Sequence, residues 1–271
     1  MLPVALIPAL LLMAILPAVE ISPAQEEAYV SFGRLGFELN EEFTLAAFAG
    51  YEPPGQPGAR YLTRDEFFDE VNAGNTHLGG DVYIVDEPAS GTGTEPVNAA
   101  HDLAWKMGGE WLPADFFQLE PAAMYARDPV YFSDDFVVID FERINNPGDY
   151  VSLLNSMCRL GDGVVAASNA RDHLPPFWLW QFGFGSASLD FEFNGSSIHW
   201  PLEVQDDWVD PLFFVRFDAL IEHANPDAAL YSFSDGQYDL FFITDATTAS
   251  ELARLVDQPL REWRSYRGEI Q

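Results

Sequence analysis

The sequence predicts an α+β fold, a mostly antiparallel sheet built from hairpins with helices packed on one face. Three observations carry that reading. Asn194-Gly195 lies between two stretches of alternating apolar and polar residues, which is the pattern of a hairpin closed by a type I′ turn. Asp210-Pro211 opens a segment whose apolar residues Phe213, Phe217, Leu220, Ile221 and Ala224 share one helical face. The element order (strand, helix, several strands, helix, hairpin, helix) joins strands by tight turns rather than by crossover helices.

In chain order, residues 1–19 carry no charged side chain, and the apolar run Ala9 to Leu16 has the length of a signal-peptide core. Pro3, Pro8 and Pro17 interrupt the whole 1–19 segment, which fits a membrane span or a core helix poorly. Ser22-Pro23-Ala24 supplies small residues for cleavage after Ala24. Residues 1–24 are therefore expected to be a signal peptide or a retained membrane anchor. Two α+β regions, 25–125 and 126–271, are expected to follow, divided near Pro121 to Pro129.

Residues 28–50 read as extended, with Phe32, Leu35, Phe37 and Leu39 as the apolar positions. The turn formers of 52–58 and 87–94 mark loops. Thr63-Arg64-Asp65-Glu66 is a capping box for a helix through about Val71, and Asp81 to Val85 is a strand. Ala99 to Met107 is helical and stops at Gly108-Gly109. Phe136 to Phe141 is a β-branched strand. Asn146-Pro147 opens a helix to about Leu160, with a further strand from Gly163 to Ala167.

Phe177 to Phe182 fits another strand of the hairpin sheet, and the aromatic run Phe177 to Phe184 reads as core, with a carbohydrate or peptide platform as the alternative. In the hairpin itself, a two-residue turn pairs Phe193 with Ser196, Phe191 with Ile198 and Leu189 with Trp200 on the apolar side. Glu192 then faces Ser197, and Asp190 faces His199. Leu230 to Phe233 and Tyr238 to Ile243 form a second hairpin. Asp245 or Thr248 caps a last helix bearing Leu252, Leu255 and Val256. Arg254, Arg261, Arg264 and Arg267 leave the C-terminal end slightly basic, so it is expected to dock on the acidic body.

The charge bounds the partners. Thirteen Lys+Arg against 43 Asp+Glu give a net −30 over 271 residues. Such a surface repels duplex DNA and anionic membranes. Disorder is excluded by 48% hydrophobic and 14% aromatic residues, enough to build a core. Either a basic protein partner or adaptation to high salt accounts for the acid. Cys158 is the only cysteine, so no intramolecular disulfide forms, and its apolar setting marks a buried structural thiol.

Standard catalytic signatures are missing: no GxSxG elbow, P-loop, HExxH or GxGxxG after a strand. Neither a metal nor a cofactor is expected, since the five histidines show no ligand spacing. Two weaker constellations remain. Asp190 beside His199 could orient a general base, but an exposed cross-strand ion pair is the preferred reading, because such pairs are ordinary. Asp206, Asp207, Trp208 and Asp210 bring acids beside an aromatic, with Asp210 also serving as a helix cap. Arg171-Asp172-His173 is read as a loop. The reading that follows is an exported, non-catalytic protein binding a macromolecule through an acidic face, in the manner of an inhibitor or immunity protein. The alternatives are an exported hydrolase using carboxylate acid/base chemistry and a salt-adapted surface protein.

Overall fold

A computed structural model describes residues 21–49, 51, 60–62, 82–84, 98–112, 130–175, 185–203, 206–234 and 238–268. Outside them lie the apolar segment 1–19 with Glu20, the turn-rich stretches 52–58 and 87–94, the helix expected over 63–71 and the aromatic run 177–184. The fold class is α+β, as the sequence predicts.

Contacts gather the chain into two compact units, one of Met1–Gly50, Asn98–Gly109 and Tyr131–Gln271, the other of Tyr51–Val97 and Glu110–Val130. This grouping is not the consecutive division at residue 125. The physical reason is long-range pairing, which ties N-terminal residues to C-terminal ones. The second unit contains β1 (Arg60–Leu62) and β2 (Val82–Ile84), a parallel pair with Tyr61 opposite Tyr83. The sheets are otherwise antiparallel where register is defined. Strands β3 (Glu110–Trp111) and β4 (Val130–Tyr131) form a further two-stranded ladder.

The first unit opens with α1 (Pro23–Arg34), which corrects the extended reading of residues 28–50. Ser22 Oγ accepts from Gln25 N at 3.2 Å and Gln25 Oε1 accepts from Ser22 N at 3.0 Å, a complete capping box with Pro23 in the first turn. Ala28 and Phe32, four residues apart, bury the same helical face. The chain then turns through Leu35 and Gly36, and α2 (Leu45–Ala49) follows. The apparent alternation across 32–39 is thus a helix end followed by a turn.

Helix α3 (Ala99–Met107) begins on Asn98, whose side chain accepts from Ala100 N at 3.0 Å, and ends at Gly108 as expected. Gly108 lies hard against the sheet. A Cβ there would stand 2.3 Å from Leu240 Cδ1 and 3.0 Å from Val138 Cγ2. Gly108→Ala is accordingly expected to cost about 1–3 kcal/mol, the range for overpacking a dense core. Urea unfolding measures it, and a loss below the error of the method would show that the contact yields.

The central sheet has the order β11-β9-β10-β5, with β5 Val137–Asp140, β9 Ala229–Ser234, β10 Tyr238–Thr244 and β11 Arg261–Glu262. Successive side chains of a strand point to opposite faces, so Phe241 and Phe242 serve different layers. Phe241 stacks on Phe214 of α6 (Leu212–Ala224) at 4.5 Å. Phe242 meets Phe37 and Phe136 at 6.0 and 5.7 Å. On the same side as Phe242, Phe233 meets His101 and Trp105 of α3. The expected one-sided covering therefore does not hold for this sheet: β9 and β10 bury side chains on both faces.

A second sheet has the order β6-β7-β8: β6 Ala167–His173, β7 Ser186–Phe193, β8 Ser196–Glu203. Its register matches the prediction at every pair named from sequence. Asn194 and Gly195 both take positive φ, 49° and 73°, as the turn requires. One face is buried through Leu189, Phe191, Phe193, Trp200 and Leu202, and the other meets solvent. Pro201 sits in the edge strand β8, where a missing N–H is tolerated.

Helix α4 (Asp149–Cys158) starts later than Asn146. Its first N–H groups are satisfied from a distance: Asp172 accepts from Gly148 N and Tyr150 N. Arg171, Asp172 and His173 therefore belong to strand β6, not to a loop. The strand expected over 163–167 is displaced, since Gly163 ends the short α5 (Leu160–Gly163). Helix α7 (Ala246–Val256) takes Asp245 as its cap, with Thr247 N and Thr248 N donating to it.

The basic C-terminal end docks as expected. After β11 a 3-10 turn (Trp263–Gly268) places Trp263, 3% exposed, against Phe214 and Phe241. Cys158 is half-buried, and burial pushes its thiol above the ordinary range. Alkylation by iodoacetamide should be many-fold slower in the native protein than in urea, because the thiolate is the reactive form. Equal rates would place the thiol in an activated, exposed setting.

Candidate functional site

Asp190 and His199 stand side by side, as the hairpin register dictates. His199 Nδ1 and Asp190 Oδ1 are 2.7 Å apart. Both are more than half exposed, on the solvent face of the three-stranded sheet. Arg171 lies opposite Asp190 on β6. This arrangement is a row of charges across an open face.

The acids at 206–210 are placed more specifically. Asp206 takes a left-handed φ of 56°, which aspartate tolerates better than most residues. Asp207 O then accepts from Ile144 N at 2.9 Å, and Val209 N donates to Phe141 O at 2.8 Å. Two backbone bonds thus pin the turn against residues 141–144. Trp208, between them, lies tilted over Phe141 at 6.4 Å and remains 42% exposed.

Asp210 points the other way. It is 2% exposed, with Oδ2 accepting from Glu203 N at 2.8 Å and Oδ1 from Leu212 N at 2.9 Å. It fixes the start of α6 and the end of β8 together, which is a structural role. Burial raises its carboxyl pKa, and the two N–H donors act against that rise. Asp210 N donates to the Tyr150 hydroxyl at 3.1 Å. Burial foremost, with the Asp210 and Asp172 carboxylates adding to it, pushes the Tyr150 phenol well above its ordinary range.

A small hollow opens beside this turn. Its buried lining includes Ile144, Tyr150, Pro175 and Ala187, and the exposed Glu203, Asp206 and Trp208 form its rim. The space open to a water centre is about 10 Å³, room for one water. Sequence reasoning found Asp206, Asp207, Trp208 and Asp210 but missed Tyr150 and Glu203. Tyr150 lies 60 residues from Asp210, and no local pattern links them.

The structure thus divides the 206–210 cluster. Asp210 is internal, while Asp206, Asp207 and Trp208 face outward. The outward acids make no side-chain hydrogen bond or ion pair among the described residues. No group of three or more His, Cys, Asp or Glu side chains among the described residues is arranged to hold a metal ion. Comparison with protein families, with curated proteins and with solved structures finds no significant match.

Proposed function

We propose that this chain is an exported, non-catalytic protein that binds a basic macromolecular partner, with the Asp206-Asp207-Trp208 turn at the contact. The observation that supports it is Trp208, exposed at 42% on a pinned turn directly after Asp206 and Asp207, whose carboxylates have no partner among the described residues. A Lys or Arg side chain laid on the indole face gains cation–π attraction, and the flanking carboxylates add charge-assisted hydrogen bonds. The hollow beside it admits a water but no drug-sized ligand, which favours a surface contact over a small-molecule pocket. The net −30 steers a basic partner toward the chain.

Export rests on the uncharged apolar segment 1–19. Cleavage after Ala24 would remove Ser22, the cap of α1, at a cost of about 1 kcal/mol. Intact-mass measurement of the mature protein locates the cut.

The binding test is cross-linking and pull-down with the native protein. A basic partner is expected, held about thirtyfold less tightly by Trp208→Ala, the scale of an interface hot spot. Affinity should fall as salt rises. A purified protein that turns over a substrate and recovers no partner would overturn the proposal.

A further inference from the structure

A second feature lies in the first unit, away from the Trp208 turn. Helices α1 and α7 flank a groove of about 400 Å³, lined by Ser31, Arg34, Leu35, Glu251, Arg254 and Leu255. Arg34 stands in the last turn of α1 and Arg254 in the last turn of α7. Neither guanidinium has a hydrogen bond or ion pair among the described residues. Arg171 is free in the same way among the described residues, whereas Arg159, Arg261, Arg264 and Arg267 each hold a carboxylate. With 43 acids against 13 cations, an arginine has ample opportunity to pair internally.

We propose that this groove binds a small organic oxyanion, a carboxylate or a phosphate monoester with a short apolar body. The guanidinium fork matches the two oxygens of either group. Leu35 and Leu255, both half-buried, offer apolar surface to the rest of the ligand. The groove's volume falls within the range of ligand clefts, about 300–1,000 Å³. Locally the charges are two cations against Glu251. The −30 of the whole chain acts weakly here, because charges beyond about 8 Å are screened at physiological salt. Each arginine also complements the carbonyl end of its own helix. That role requires no shared groove and no empty guanidinium forks.

Calorimetric titration of the full chain with hexanoate and, separately, with hexyl phosphate tests the site. One saturable site is expected for at least one probe, and the tighter of the two identifies the oxyanion class. Arg34→Gln combined with Arg254→Gln should weaken that probe at least about tenfold, with the urea midpoint little changed. Glu251→Gln should strengthen it by removing a like charge. Absence of saturable binding of either probe overturns the proposal. So does binding that survives the double substitution, or an affinity that Glu251→Gln leaves unchanged or lowers.

Discussion

Replacing Arg264 and Arg267 together by alanine is expected to destabilise the first unit by about 3–5 kcal/mol, the scale for leaving a buried charge without its partners. Asp218 on α6 is fully buried. Its Oδ2 accepts from Arg267 Nη2 at 2.6 Å and from Arg264 Nε at 3.3 Å, while Oδ1 accepts from Leu230 N at 2.9 Å. Arg264 Nη2 also donates to Ala228 O at 2.6 Å. Without both guanidiniums, the carboxylate keeps one backbone donor in an apolar setting. Glu222, which also pairs with Arg267, is exposed and contributes little.

Adding Asp218→Asn to the double variant should recover part of the loss, because the amide carries no charge to strand. Urea denaturation of the three proteins measures both effects. A double variant within 1 kcal/mol of the parent, roughly the value of a surface ion pair, would mean that the C-terminal segment is not docked in solution.

The second large effect is expected at Phe214. Its ring is fully buried and lies 4.5 Å from Phe241, 4.8 Å from Trp263, 5.3 Å from Phe141 and 5.3 Å from Phe213. It joins α6, the central sheet and the C-terminal turn in one contact. Phe214→Ala should cost about 3–5 kcal/mol, since the removed ring leaves a cavity that a dense aromatic cluster cannot collapse. Phe214→Leu should cost less by keeping most of the volume. Equal losses for the two would show that ring stacking, not volume, dominates.

Where the rules are short-ranged, the sequence was readable. Asn194-Gly195 set the turn, the turn set the register, and the alternation decided which face of β7 and β8 was buried. The Asp245 cap and the helix stop at Gly108 were likewise local. Residues 32–39 misled because a helix end and a following turn happen to space Phe32, Leu35, Phe37 and Leu39 like a strand. The capping box at Ser22 and Gln25 was the overlooked signal, hidden by reading Ser22-Pro23-Ala24 only as a cleavage motif.

At the candidate site, the sequence named the acids and the tryptophan but could not sort them. Asp206 and Asp210 are four residues apart, yet one is exposed and the other 2% exposed. The difference comes from Tyr150 and Glu203, whose backbone and hydroxyl partners are far away in sequence or across a turn.

The net charge of −30 was fixed by sequence, as were the α+β class, the hairpin and its register. Only tertiary structure decided which acids are surface. Asp210, Asp218 and Asp239 are all at or below 2% exposure, held by backbone N–H groups, by arginines of the C-terminal segment or, for Asp239, by Ser232 and Arg261. Hydrogen-bonding turns and side-chain periods act over a few residues and can be read locally. A buried carboxylate is tolerated only where distant donors converge on it, and that convergence exists only once the chain has folded.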